Sequence, residues 1–216
     1  MYRIVFLILS SALIFSGCKQ KDKEIIPLPY YNEPTFTPIF LKNNELVKNK
    51  ITHTINSFSF LNQDSVMVNE QTIEGKIHVA NFIFTSCGSI CPTMTKNLKT
   101  VSDGFANDKN LVFLSFSVTP WIDKPYVLKR YKEQNHIDNG NWHFLTGSKA
   151  EIYDLARKSY FAEEDIGFSK DSTEFLHTEH FILVDKNKRI RGIYNGTLAL
   201  EMQQLIDDIK TLKSTE

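Results

Sequence analysis

The sequence predicts an α/β layered domain on a mixed central sheet, and three features carry that expectation. Two apolar runs without alternation, Ile77 to Phe84 and Leu111 to Val118, read as strands buried on both faces. Each is followed by apolar residues at helical spacing. Two short apolar runs around Lys186-Asn187-Lys188 and a long amphipathic segment then read as a terminal hairpin and helix. Strands alternating with helices in this way pack as layers. The 216 residues suffice for one domain with a proper core and some tail.

The elements follow in order. Arg3 and the apolar run from Ile4 to Phe15 form a targeting signal, since the run is shorter than the roughly 20 residues of a membrane span. Ser16-Gly17 closes this signal over residues 1–17, directly before Cys18. Small residues directly before a cysteine resemble the lipobox of bacterial lipoproteins, with Phe15 where leucine is usual. The resemblance implies that Cys18 is the lipidated first residue of an exported protein, held to a bacterial membrane in the cell envelope by its acyl chains. Residues 18–50 read as a tether. The charge run Lys19, Lys21, Asp22, Lys23 and Glu24 is solvated, and Pro27, Pro29, Pro34 and Pro38 discourage helix. Tyr30, Tyr31, Phe36 and Phe40 lay the tether's second half against the domain.

The domain proper is expected over residues 51–213. Ile55 to Leu61 and Val66 to Glu70 read as an N-terminal hairpin turning through residues 62–65. Ile77 to Thr85 is the central strand, and Met94, Leu98, Val101 and Phe105 mark the helix behind Pro92. After the second core strand come a helix over Lys124 to Gln134, a short strand from Trp142 to Leu145, and a helix over Lys149 to Phe161. Ala162 to Glu174, rich in charge, is expected as a solvated insertion before the terminal hairpin. That hairpin pairs Phe181 to Asp185 with Arg189 to Tyr194, and Leu198 to Leu212 closes the fold with Met202, Leu205, Ile206 and Ile209 inward.

Chemistry concentrates between Thr85 and Thr93, where Cys87 and Cys91 lie at a strand-to-helix turn with Pro92 directly behind. Proline at the start of a helix sacrifices no hydrogen bond. Free N–H groups and the positive end of the helix dipole favour thiolate there. Two activated sulfurs so close can form a disulfide or clamp a soft metal ion. With Cys18 lipidated, Cys87 and Cys91 are an isolated pair in an oxidising compartment. A staple closing so short a loop stabilises little, so the pair is expected to be reactive rather than structural. Zero net charge and the absence of a basic stripe argue against nucleic acid as a partner.

The stretch Phe82 to Thr93, Phe-Ile-Phe-Thr-Ser-Cys-Gly-Ser-Ile-Cys-Pro-Thr, resembles the Phe-x-Phe-Thr-x-Cys-x-x-x-Cys-Pro-Thr signature of the Sco/SenC family. Those are exported or membrane-tethered copper proteins of cytochrome oxidase assembly with a thioredoxin-like fold. The resemblance runs from about Ile51 to Leu212. It implies a copper ion as ligand, bound by Cys87, Cys91 and a histidine six residues before a strand leucine. Counting back from Leu183-Val184-Asp185 lands on His177. Two thiolates and one imidazole form a trigonal set suited to Cu(I). The implied partner is the copper-site subunit of a terminal oxidase.

Three departures stand out. Thr119-Pro120 replaces the Asp-Pro common after the second core strand, Leu176 replaces an Asp before the histidine, and Gly88 replaces a proline. The first two remove acidic groups near the site. His180 is the competing ligand, but three residues further along a strand it faces the opposite side. His53, His78, His136 and His143 show no metal-ligand spacing, and Trp121 and Trp142 read as core or rim packing. Copper delivery is the expected function. The alternative is a thiol–disulfide oxidoreductase acting on an exported partner, in which Cys87 and Cys91 are the redox pair. A peroxiredoxin-type site would want threonine three residues before its cysteine, and Thr85 stands two before Cys87.

Overall fold

A computed structural model describes residues 27–162 and 178–215. The fold reaches further back than residue 51. The segment expected as a tether contributes β1 (Tyr30–Tyr31), β2 (Pro38–Ile39) and α1 (Asn44–Lys50), whose start is capped by the Asn43 side chain accepting from Glu45 N–H. The N-terminal hairpin is β3 (Ser59–Asn62) and β4 (Met67–Asn69), followed by one helical turn, α2 (Glu70–Ile73), capped by Asn69. Its first strand starts four residues later than expected, because Ile55 N–H donates to the Lys188 carbonyl instead of a sheet partner.

The core then alternates: β5 (Ile77–Ile83), α3 (Cys91–Asp103), β6 (Leu111–Ser117), α4 (Pro125–Gln134), β7 (Trp142–Thr146) and α5 (Lys149–Lys158). Helix α5 stops short of Phe161, where the chain takes a positive φ and the ring stacks on His53. After the insertion come β8 (His180–Val184), β9 (Ile190–Asn195) and α6 (Ala199–Thr215). The described strands form one sheet in the order β2-β1-β9-β8-β5-β6-β7-β3-β4. Strands β5, β6 and β7 run parallel, and the other pairings are antiparallel. No described helix is long and apolar enough to cross a membrane.

Alternation along the strands sends side chains to two cores. Ile77, Val79 and Ile83 of β5, Phe113 of β6, Trp142 and Phe144 of β7, and Phe181 and Leu183 of β8 face α3, α4 and α6. Ala80, Phe82, Val112, Leu114, Phe116, Ile182 and Val184 face α5 and the N-terminal hairpin. Polar groups on the first face are satisfied: Trp142 Nε1 donates to Ser115 Oγ at 2.9 Å, which donates to Asn81 Oδ1 at 2.7 Å. Trp142 is thus core, whereas Trp121 lies half exposed at the rim beneath Lys149.

Strand β9 carries a buried clamp where it meets β1. Arg191 pairs with Asp185 at 3.2 Å, donates to the carbonyls of Pro29 and Leu28, and lies under the Tyr30 ring at 3.9 Å. A guanidinium out of water needs all of these partners, since leaving a buried charge unpaired costs about 3–5 kcal/mol.

His78 is fully buried on the α5 face, its Nε2 3.1 Å from the Tyr160 hydroxyl. Burial, reinforced by Lys188, holds its pKa down to about 3. The unfolded chain takes up this proton near the ordinary value of 6.5, so below that pH it binds more protons than the folded chain. Stability is therefore complete above the ordinary histidine range and declines as pH falls toward 3. The slope from one such group reaches about 1.4 kcal/mol per pH unit. Urea titrations of His78→Phe are expected to show a shallower acid limb than the parent, with a constant penalty for the unpaired Tyr160 hydroxyl. An unchanged limb would show that this histidine does not govern acid sensitivity.

Candidate metal and redox centre

The turn after β5 arises from the end of strand pairing. Ile83 is the last residue of β5 opposite β6, and its carbonyl receives Val118 N–H at 2.8 Å. The chain then turns, with Cys87 N–H donating to the Phe84 carbonyl at 3.2 Å. Ile90 takes helical angles and Cys91 opens α3 with Pro92 in its first turn. Both cysteines are free thiols, 8 % and 4 % exposed, and both join the core that contains Met94, Leu98 and Phe181. The sulfurs are thus more enclosed than a reactive surface pair. Beside them the position of Gly88 is open, with nothing within 4 Å of where a Cβ would stand.

The two sulfurs are not equivalent. Burial works against ionisation of Cys87, but N–H groups of Cys91, Ser89 and Ile90 and the Cys91 thiol outweigh it and lower the pKa. Burial, together with the neighbouring Cys87 sulfur, pushes the Cys91 thiol up to about 12. The sequence suggested two activated sulfurs, yet the N–H groups of the turn converge on the first cysteine, and the second sits deeper. Tyr131 is a close neighbour: burial and the nearby charges of Cys91, Cys87 and Asp123 raise its phenol, whose oxygen lies 2.7 Å from Thr95 Oγ1.

Asp123 escaped the sequence reading. Thr119-Pro120 removes one acidic group near the site, but the structure buries another carboxylate, that of Asp123, completely between the ends of β5 and β6. Its Oδ1 accepts from Thr85 Oγ1 at 2.5 Å, and its Oδ2 from Thr85 N–H at 3.2 Å, Ser117 Oγ at 2.6 Å and Thr119 Oγ1 at 2.9 Å. The available signal was a run of three hydroxyl residues, Thr85, Ser117 and Thr119, at the ends of the two core strands.

Cys18 and His177 lie outside the described residues. Among the described residues, no group of three or more His, Cys, Asp or Glu side chains could hold a metal ion. His180 packs edge-on to Phe36 at 5.9 Å, on the face shared by Ile182 and Val184 and away from the cysteines. His53 is engaged by the Ser159 carbonyl, His143 lies 3.5 Å from Asn62, and His136 is exposed. Alkylation of the reduced chain near neutral pH, followed by peptide mapping, should therefore label Cys87 well ahead of Cys91, since the thiolate is the nucleophile. Equal or reversed labelling would contradict the asymmetry.

A family model described as SCO1/SenC matches residues 47–214. A relative named SCO1 protein homolog, from Bacillus subtilis, is 32% identical over 167 residues, 76% of this chain and 86% of its own. A SCO1/SenC family lipoprotein from Bacillus anthracis superposes with a TM-score of 0.65 at 30% identity, covering 76% of this chain and 96% of that one. BsSco, described as a member of the Sco family of cytochrome c oxidase assembly proteins with a disulfide switch, gives 0.64 at 31% identity over 76% and 95%. Sco proteins from Bradyrhizobium japonicum and Arabidopsis thaliana with copper bound share the fold at 21% and 23% identity, with TM-scores of 0.58 and 0.57 and coverage of 74% of this chain in each case and 99% and 98% of theirs. The sheet, the cysteine turn and these matches agree: the chain belongs to the SCO1/SenC family and has its thioredoxin-like fold.

Proposed function

We propose that this chain is a membrane-anchored copper chaperone that holds copper through Cys87, Cys91 and His177 and delivers it to the copper-site subunit of a terminal cytochrome c oxidase. The observation that carries the reading is the pair of free, nearly buried sulfurs at the strand-to-helix junction. The copper-bound Sco structures of like fold add support. Thiolates and imidazole are donors that suit Cu(I), and an enclosed site keeps competing thiols away from the cargo. Sheet topology favours His177 as the third donor. Strand β8 runs antiparallel to β5 with Ile182 opposite Ala80, so β8 starts at the end of the sheet where β5 leads into Cys87.

A second reading, thiol–disulfide exchange with an exported partner, is favoured by the unequal sulfurs. The Cys87 thiolate would attack the partner's disulfide, releasing one partner thiolate and forming a mixed disulfide. Cys91 would then displace the second partner sulfur, leaving the chain oxidised and the partner reduced.

Copper content and visible absorption of the reduced full chain in detergent test the first reading. Cys87→Ser and Cys91→Ser should each abolish binding, and wild-type copper content in both would move the site elsewhere. His177→Ala should weaken binding by about tenfold or more and block oxidase maturation in cells, while disulfide turnover persists. Normal oxidase assembly in His177→Ala would hand the function to the exchange reading.

Anchoring is assigned to Cys18, supported by Ser16-Gly17 before it and by the lipoprotein description of the Bacillus anthracis neighbour. Cys18→Ser should leave the membrane fraction while binding copper as the parent does. Retention in the membrane fraction would rule out a lipid anchor at this residue.

A further inference from the structure

We infer that Asp123 is a positioning residue for the cysteine pair: its carboxylate fixes the first leg of the turn and so sets how readily Cys87 and Cys91 exchange between dithiol and disulfide. The inference deepens the assignment of chemistry to this pair but does not depend on copper. Its basis is where the four donors come from. Two belong to Thr85, through N–H and hydroxyl, two residues before Cys87. The other two, Ser117 Oγ and Thr119 Oγ1, belong to the end of β6 and the loop behind it. The carboxylate therefore braces the cysteine turn against the neighbouring strand, on top of the Val118-to-Ile83 backbone bond.

The brace makes little sense as a device for stability alone. Asp123 is fully buried and has no ion-pair partner among the described residues. Replacing buried ionisable groups by well-packed apolar side chains of similar volume is often neutral or stabilising. What a carboxylate with a full set of donors does supply is direction, because each hydrogen bond to it fixes a donor in place. Disulfide closure is demanding in this respect: the two Cα atoms must lie within about 4.4–6.8 Å, with the Cβ atoms converging. A turn pinned at Thr85 has its first cysteine held two residues away from a fixed point. Released, the same turn samples more arrangements, and the balance between the open dithiol and the closed disulfide moves.

The test uses the full chain in detergent without metal, equilibrated with glutathione. The two thiols give two electrons and two protons to glutathione disulfide, which leaves as two glutathione thiols. Asp123→Asn and Thr85→Val should each shift the equilibrium constant by about threefold to tenfold in the same direction. Thr85→Ser, which keeps the hydroxyl, should return to the parent value. Asp123→Asn combined with Thr85→Val should shift it no further than the larger single change, the mark of one shared contact. Melting temperature recorded alongside separates this effect from destabilisation, and Thr85→Val keeps the experiment decisive if Asp123→Asn does not fold. Equilibria within about twofold of the parent in folded Thr85→Val, or a shift in Thr85→Ser equal to that in Thr85→Val, would overturn the role. No copper enters the measurement, so failure of the chaperone reading leaves these outcomes intact.

Discussion

The parallel pairing of β5 and β6 is the constraint on which the rest of the molecule hangs. Seven residues of each strand stay in register, from Ile77 opposite Leu111 to Ile83 opposite Ser117, and all are buried. Parallel strands bring both C-terminal ends to one edge, and a buried parallel pair must be covered by helices on both faces. From that follow α3 and α4 on one side and α5 on the other. The cysteine turn and the loop carrying Asp123 are simply what emerges where the two strands stop. A slip by one residue would turn Val79 and Phe113 to the wrong core and pull Ser117 away from the carboxylate it serves.

Much of this was legible because it is written locally. Continuous apolar runs reveal β5 and β6, helical spacing reveals α3 and α6, and the cysteines with Pro92 reveal the junction. What the sequence hid depends on distance along the chain. Asp123 follows a strand by six residues and looks like any loop acid; its partner Thr85 is 38 positions away. The prolines of residues 27–38 argued against regular structure, yet β1 and β2 need only two residues each, and what secures them is a remote arginine. The unequal sulfurs were hidden for a related reason. Both cysteines share one helix start, and only their depth and the direction of the N–H groups tell them apart.

The two proposed chemistries would place different demands on the one turn. Holding a soft ion requires both sulfurs as thiolates, whereas disulfide exchange works best when one sulfur is ready and the other is held in reserve. A shallow, N–H-rich position for Cys87 and a deeper one for Cys91 meet the second demand directly. The first would be met only if a bound ion displaced the proton from Cys91. Under the proposed function, copper loading and thiol oxidation would compete for the same two atoms.

The clamp around Arg191 has a bearing on reach. Leu28 and Pro29 are gripped through their carbonyls, so the clamp takes hold of the chain ten residues after Cys18. Ten residues span at most about 35 Å even when fully drawn out. A lipid at Cys18 would then make this protein a tool on a short leash. Its working edge would stay within a thin layer above the bilayer, and a client would have to present its own site within that layer.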